Sequence, residues 1–518
     1  MKLDTSRRGF LRGIGGVAML GAAGCCTDWC KRSGKIRLAA VGIMGKGKTD
    51  WLPMVKSGLA ELVALCDADA SQRTAALTDK DVKRVPGLVE ALSKVPFYTD
   101  YRRMLDDQKK LGIEAMTVST PDHMHAAIAI RAMKMGIHCY VQKPLVRTLW
   151  EAKYFGDTAK ACGVVTQMGN QGSGTAGMRR GVEVIRSGIL GDVREVHVWT
   201  NRPVWPQGFV AEKATIGPAK DAIPEGLDWD SWIGVAKMRT YRGPYPAGTP
   251  TFNPWKPEKM IAPNVYHKFN WRGFIDFGCG AFGDMACHTM NLPFRGLELG
   301  RVESAECTMI EEKNDVAFPT KSIVKLVYAA RESKFRKATL LAVTLYWYDG
   351  NHKPSADLMP DGKVPNTGCI VIGTKGTLCS TNDYGRDSTI AMKGETVMQD
   401  IKVHPACKDI QQVIPRCNEG ASGVKAMGGE GVAAADNDGH DIEFLNAING
   451  NGPVYAETGS RCFSDVDFSI PIMEGILCGV VAQQVPGELK WCSKNQRFVN
   501  SAQANALVKP FIRDGFEF

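Results

Sequence analysis

Apolar and polar positions follow two different rhythms along the chain. From Ile36 onwards, short apolar runs alternate with stretches of helical spacing. Ile36–Val41, Glu61–Cys66, Ala115–Ser119 and His138–Val141 read as strands, the last two ended by Pro121 and Pro144. His125–Met135 and Thr148–Ala161 are the clearest helices between and after them. Strands alternating with helices predict a parallel, doubly wound α/β sheet over residues 35–162. The period then shortens to two. Val193–Asn201 alternates like a half-buried antiparallel strand, as do Ser322–Tyr328 and Ala338–Trp347, and Cys369–Gly373 opens another short strand. Asp441–Asn449 and Pro471–Gln483 read as helices, and the Gly/Ala-rich Asn418–Gly439 reads as a mobile loop. No internal repeat is present.

The chain has 518 residues, enough for two to four domains. At 44% hydrophobic and 23% charged, with a mean hydropathy of -0.17, it is a globular sequence, which excludes a disordered or fibrous chain. No apolar run reaches the ~18 residues of a membrane-spanning helix, the short N-terminal segment aside. Lys2, Arg7, Arg8 and Arg12 against Asp4 concentrate part of the net charge of +9 at the N-terminus. The rest forms no basic block of the kind that binds nucleic acid. Sixteen cysteines are spread without C-x-x-C or zinc-type Cys/His spacing, so no metal site is expected. Cys66, Cys139 and Cys478 sit in apolar runs as small core residues, and any disulfides are unassigned.

The first 34 residues have the layout of an address. A charged start leads into the weakly apolar Gly13–Gly24 and then Cys25. Ser6-Arg7-Arg8-Gly9-Phe10-Leu11-Arg12 resembles the twin-arginine export signal. Its alternative is a basic N-terminal helix. Ala22-Ala23-Gly24-Cys25 is similar to a lipoprotein processing site, with Ala22 where such sites carry Leu, so a lipid anchor at Cys25 stays open. The expected location is the periplasm or cell envelope, reached by the twin-arginine machinery with the chain already folded.

The first strand runs into Gly42-Ile43-Met44-Gly45-Lys46-Gly47. A dinucleotide fingerprint, G-x-G-x-x-G, needs glycine for the tight turn, for approach of the pyrophosphate and for helix–strand packing. Gly42 and Gly47 fit, and Met44 stands in the second position. Asp67 ends the second strand, where a carboxylate binds both ribose hydroxyls and repels a 2′-phosphate, so NAD is favoured over NADP. Asp284 and His288 are spaced i, i+4 and share one face of a helix, where the carboxylate can orient the imidazole. Lys143 follows a strand at the carboxyl edge of the sheet, where open α/β sheets bind ligands. Six of the eleven tryptophans, Trp199, Trp205, Trp229, Trp232, Trp255 and Trp271, lie among Pro and Gly between 199 and 271. They either pack long loops or offer platforms for sugar rings. His123 and His404 read as surface or packing residues.

These motifs together resemble the glucose–fructose oxidoreductase / inositol dehydrogenase / MocA (Gfo/Idh/MocA) family. Ser119-Thr120-Pro121-Asp122 with His125 is similar to its T-P-N/D-x-x-H segment. Gln142-Lys143-Pro144 is similar to its E-K-P motif, with Gln for Glu, and Asp284-Met285-Ala286-Cys287-His288 to its D-x-x-x-H motif. The resemblance covers about residues 35–490. It implies a Rossmann-like NAD-binding domain over 35–162 and an α+β substrate and oligomerisation domain over 163–490 with an open, largely antiparallel sheet, leaving 491–518 as a tail. It also implies a homo-oligomer. Lys143, Asp284 and His288 are the implied catalytic residues. Gly42, Met44, Gly45, Gly47, Asp67, Thr120, Pro121, Asp122, His125, Gln142 and Lys143 are the implied NAD contacts. Asn170, Trp199, Arg202, Trp271 and Arg272 are the candidate substrate contacts.

The function expected is therefore that of an exported NAD-dependent oxidoreductase acting on a hydroxyl of a sugar, polyol or glycoside. Such chemistry needs a base for the hydroxyl proton, a hydride acceptor and a positive group to hold the oxygen. A redox-neutral glycoside cleavage by oxidation and elimination is the first alternative. A cofactor- or sugar-binding protein without turnover, motivated by Met44, is the second. If the address is right, replacing Arg7 and Arg8 together by Lys keeps the charge, loses the guanidinium geometry and abolishes export. Fractionation of cells expressing the double variant measures this, and a normal periplasmic yield would contradict the reading.

Overall fold

The computed structural model describes residues 34–216, 221–417 and 439–518. The signal segment, Cys25 and nearly all of the Gly/Ala-rich stretch expected to be mobile lie outside them. No helix among the described residues is long and apolar enough to cross a membrane.

The first sheet has six parallel strands in the order β3-β2-β1-β4-β5-β6. They are β1 (Ile36–Val41), β2 (Ala60–Cys66), β3 (Phe97–Tyr98), β4 (Ala115–Val118), β5 (His138–Val141) and β6 (Thr166–Met168). Reversal of strand order between β1 and β4 makes the crevice in which doubly wound sheets hold ligands. The strands β4 and β5 are buried throughout, which explains their unbroken apolar runs. β6 extends this sheet past residue 162, so the first domain ends one strand later than expected.

Helix Asp122–Lys134 starts four residues after β4, and helix Leu149–Cys162 follows β5. The second starts in a capping box. The Glu151 amide donates to Thr148 Oγ1 at 3.3 Å, and the Thr148 amide donates to Glu151 Oε2 at 2.9 Å. Gly163, at φ 62°, ends it in the left-handed conformation. The segment between β5 and this cap, which carries Lys143, is thereby fixed at both ends.

The second sheet has ten strands in the order β16-β15-β14-β13-β7-β12-β9-β8-β17-β18. Its members are β7 (Val193–Trp199), β8 (Val302–Glu311), β9 (Lys321–Tyr328), β12 (Val343–Tyr348), β13 (Gly368–Gly373), β14 (Gly376–Ser380), β15 (Ser388–Met392), β16 (Gln399–Asp400), β17 (Leu489–Cys492) and β18 (Arg497–Phe498). All neighbours are antiparallel except β7 and β12, which run parallel. The stretch expected as one strand, Ala338–Trp347, is divided. Thr339–Leu340 (β11) turns back on Arg331–Glu332 (β10), and only Val343–Tyr348 enters the large sheet.

Helices from the second half tie the two sheets together. Helix Val466–Ala482 lies between helix Leu149–Cys162 and β8, and helix His440–Ile448 packs on helix Lys46–Lys56. Residues 491–518 are no loose tail. The Trp150 amide donates to Val508 O at 3.0 Å, and Phe518 packs on Trp150 and Tyr154. His123 and His404 are buried packing residues. All thirteen described cysteines, from Cys66 to Cys492, are free thiols.

The first βα turn admits no side chain at its close approach. A Cβ on Gly47 would sit 1.7 Å from Gly42 O, a backbone atom that cannot swing aside. Gly47→Ala is therefore expected to cost about 3 kcal/mol or more by forcing helix Lys46–Lys56 off β1. Urea denaturation reads this directly, and an unchanged midpoint would contradict it.

Candidate active site

One cleft of about 610 Å³ runs along the carboxyl ends of β1, β2, β4 and β5 and is walled on its other side by the second domain. Gly42, at φ 75°, opens the first turn, and a Cβ there would lie 2.5 Å from Ser119 O. Met44 stands where the fingerprint has its second glycine, and its side chain packs against the apolar core beside the sheet. Gly45 follows at φ 59° with open space where a Cβ would be. The bare, approachable backbone is thus supplied one position later, and Met44 does not disqualify the loop. The opening of helix Lys46–Lys56 lies behind it, the geometry that receives a pyrophosphate.

Asp67 follows β2 and lines the same cleft. Its Oδ2 accepts the Ile43 amide and its Oδ1 the Asp69 amide, both at 3.1 Å. Each oxygen keeps a lone pair for a ribose hydroxyl. Burial pushes its carboxyl up to about 6, the two amide hydrogen bonds opposing. Thr120 Oγ1 is buried without a partner in the cleft wall. These residues fit an adenine dinucleotide with free ribose hydroxyls.

At the far end the two domains meet through a charge pair. Lys143 Nζ lies 2.8 Å from Asp284 Oδ1 and 3.0 Å from the Asp284 carbonyl. Arg272 Nε is 3.3 Å from the same carboxylate oxygen. Asp284 and His288 share one face of helix Gly280–Thr289, as their spacing predicts. Burial alone would raise the Asp284 carboxyl, but the Lys143 and Arg272 charges overcome it and hold it well below the usual range. Burial, reinforced by the Lys143 charge, drives the His288 imidazole far down, so the ring is neutral at physiological pH. Its Nδ1 is buried without a partner. The site therefore offers a fixed cation beside a neutral imidazole with a free nitrogen.

Gln142 turns away from this pair. Its amide donates to both carboxylate oxygens of buried Asp50 at 3.0 Å. Asp50 also accepts from Ser119 Oγ at 2.7 Å and pairs with Lys46 at 3.2 Å. The carboxylate missing from the E-K-P position is thus replaced by one on the adjacent helix. His125 lies between two carbonyls, with Nδ1 2.8 Å from Pro144 O and Nε2 2.9 Å from Thr120 O. Burial lowers its pKa to about 4, so the neutral ring has one N–H and donates to one of the two carbonyls.

Of the candidate substrate contacts, Arg202, Trp271 and Arg272 line the cleft. Trp199 does not. It is fully buried on β7 with Met359, Ile370 and Cys379, and its indole donates to Pro365 O at 2.9 Å. A central strand is covered on both faces, so its last aromatic enters the core. Asn170 is also buried outside the cleft lining, its amide 3.4 Å from Cys287 O, and the neighbouring Gln171 faces the cleft instead. Trp205, Trp232 and Trp255 line the cleft, while Trp229 stacks on Trp232 with centroids 4.7 Å apart. Four residues unforeseen in the sequence contribute. Asp50 had only its i, i+4 spacing from Lys46 as a signal. Tyr384, edge-on to His288 at 4.8 Å, lies in a loop after β14 with no local signature. Gln72 and His267 likewise carry none.

Comparison with known proteins agrees with this geometry. Residues 36–170 match the family model described as Oxidoreductase family, NAD-binding Rossmann fold (GFO_IDH_MocA). Among curated relatives, Glycosyl hydrolase family 109 protein 2 of Akkermansia muciniphila is 30% identical over 167 residues, 31% of this chain and 33% of that protein. Levoglucosan dehydrogenase of Pseudarthrobacter phenanthrenivorans is 27% identical over 169 residues, 32% of this chain and 41% of that protein. These matches span well under half of the relatives' own length. Among solved structures, an inositol dehydrogenase homolog from Azotobacter vinelandii complexed with NADH and myo-inositol aligns with a TM-score of 0.52 at 17% identity. That alignment covers 89% of this chain and all (100%) of the other. Levoglucosan dehydrogenase complexed with NADH and levoglucosan aligns at 0.52 and 15% identity, over 88% and 99% of the two chains. The fold is shared along nearly the whole length.

Asp122 opens its helix on the cleft wall with Oδ2 buried and unpartnered. Burial pushes its carboxyl from 3.8 up to about 7, with Arg272 and Lys143 opposing and Asp284 adding to it. The folded state therefore holds a proton that the unfolded chain releases. Its stabilising effect is complete below pH 3.8 and is lost as the pH rises through about 7. Asp122→Asn, neutral at every pH, is expected to gain thermal stability relative to the native chain between pH 5 and pH 8. Melting curves across that range check the sign, and a constant difference would contradict it.

Proposed function

From the premise that residues 36–170 are the NAD-binding Rossmann domain of this oxidoreductase family, we propose that the protein oxidises a secondary hydroxyl of a sugar, polyol or glycoside. The observation that carries the reading is the Lys143–Asp284 pair with His288, in the same cleft as the glycine turn and Asp67. NAD, when bound, supplies the hydride acceptor. The ammonium of Lys143 polarises the substrate oxygen and stabilises it as the carbonyl forms. The Nε2 side of the His288 ring, which lines the cleft, accepts the hydroxyl hydrogen, and Asp284 fixes the lysine and stays ionised while doing so. Trp205 and Trp271 give sugar rings apolar faces.

Export by the twin-arginine route belongs to the same proposal. An exported enzyme has no diffusing NAD pool, so the nucleotide is loaded before export, held tightly and recycled in place. A second reading, redox-neutral glycoside cleavage, is supported by the resemblance to the Akkermansia protein and by Asp122, an acid poised to protonate a leaving group.

Lys143→Ala and His288→Ala are each expected to lower kcat by at least ~10²-fold while NAD stays bound. The purified mature chain is expected to carry close to one NAD or NADH and to turn over without net release of NADH. Nucleotide in acid and base extracts and turnover on a glycoside panel measure these. A keto-sugar supports the oxidoreductase, a released aglycone supports the redox-neutral reading, and binding without change contradicts both.

A further inference from the structure

The cleft has a second wall whose reach exceeds what holding a substrate requires. Residues 221–277 leave the second domain and cross to the end of the sheet where Asp67 marks the adenosine ribose. There the Asp228 amide donates to Ala68 O at 2.8 Å, and the Ala70 amide donates to Gly226 O at 2.9 Å. Asp69 and Leu227 form an isolated antiparallel bridge. His267 Nε2 lies 3.0 Å from Asp69 Oδ2, and Lys268 Nζ is 3.7 Å from it. Trp232 Nε1 donates to His267 Nδ1 at 3.1 Å. That bond places the ring proton on Nε2, where it is donated to Asp69. Both nitrogens of a neutral imidazole are thus satisfied.

The crossing segment carries an apolar core. Leu227, Trp229, Trp232, Tyr266, Trp271 and Phe274 belong to a separate apolar core against which Ala68 packs. Its other end is fixed beside the chemistry. His123 Nε2 lies 3.1 Å from both Trp232 O and Ile233 O, and Arg272 reaches Asp284. Trp232, His267, Lys268 and Arg272 line the same cleft as Gly42, Asp67 and Gln72. The segment therefore spans the cleft from the ribose end to the hydroxyl-handling end.

We propose that residues 221–277 are a clasp over the bound dinucleotide and that the Trp232–His267–Asp69 chain of hydrogen bonds is its latch. This rests on the reading of the cleft as an NAD site and adds which residues retain the nucleotide. His267 acts here as a positioning residue, holding the wall against Asp69. A dinucleotide lying between Asp67 and Lys143 leaves only after the wall has parted from residues 68–70, so release is limited by opening of the latch. The coupling is reciprocal. Nucleotide bound under the clasp must hold the clasp shut.

The test follows release of NADH from the full-length mature chain by its fluorescence after chase with excess NAD. The native protein is expected to keep NADH through gel filtration. His267→Ala is expected to release it at least about tenfold faster, the scale of losing a buried hydrogen bond. His267→Gln, whose amide can accept from Trp232 and donate to Asp69, is expected to remain near the native rate. Amide exchange at Ala70 and Asp228 is expected to slow when NADH binds, a readout available even if His267→Ala fails to fold. A folded His267→Ala releasing at the native rate, or exchange at those amides indifferent to NADH, would overturn the clasp. Native protein that loses NADH during filtration yet turns over with added NAD overturns the clasp and leaves the oxidoreductase reading standing. Native protein that binds no NADH at any concentration overturns both.

Discussion

The ion pair between Lys143 and Asp284 is the contact on which the rest of the arrangement depends. One charge comes from the end of β5 in the first sheet, and the other from helix Gly280–Thr289 in the second domain. A buried pair of this kind adds little net stability, because desolvation of two ions offsets most of their attraction. Losing either partner, however, strands a buried charge and costs several kcal/mol. The pair therefore acts less as glue than as a registration pin between the sheets. The features around it hold its two ends in place: the capped helix behind Lys143, and Arg272 arriving from the segment that walls the other side.

How much of this could be read from the chain depends on how local each signal is. β1 and β5 match their predicted bounds residue for residue, because continuous apolar runs between turn residues leave little choice. β3 and β6 have two and three residues, too short for any periodicity, and exist only because longer neighbours offer an edge. The parallel pairing of β7 with β12 joins residues about 150 positions apart, which alternation within either strand cannot specify. The site divides the same way. Glycine turns, a carboxylate ending β2 and an i, i+4 pair are local patterns and were legible. Tyr384 and His267 arrive from loops through tertiary packing, and Gln72 from the first turn of helix Ser71–Thr78, and nothing in their neighbourhoods announces them. Trp199 shows the opposite error, since composition marked it as a platform while its place on a central strand makes it core.

Two departures from the family pattern turn out to be compensated within the same turn of structure. Met44 packs its half-buried side chain against the adjoining core while still lining the cleft, and Gly45 supplies the bare backbone. Gln142 removes a carboxylate next to Lys143, but Asp50 restores one behind the glycine turn, bound by Gln142, Ser119 and Lys46. The lysine's own partner is Asp284, so the loss beside it in sequence is not a loss beside it in space. Substitutions judged against a motif in isolation look disabling, and judged against the neighbouring atoms they are exchanges.

The distribution of charge along the cleft gives the chemistry its direction. The ribose end is lined by Asp67, an acceptor for hydroxyl groups. The opposite end carries Lys143 and Arg272 around the ionised Asp284, itself held far below its usual range, and Arg202, which pairs with Asp383. Of the titratable groups beside these charges, His288 is kept neutral by burial that disfavours the imidazolium, while burial brings the Asp122 carboxyl up to about 7, where it can hold or release a proton. Fixed charge stabilises an oxygen that turns negative, while neutral groups can take or give a proton without rebuilding the field around it. Burial and the Lys143 charge make the His288 ring a weak base in this site, and under the proposed reaction the same ammonium would make a bound hydroxyl a stronger acid. In the oxidation proposed above, the two shifts would lie in compensating directions and ease transfer of the alcohol proton.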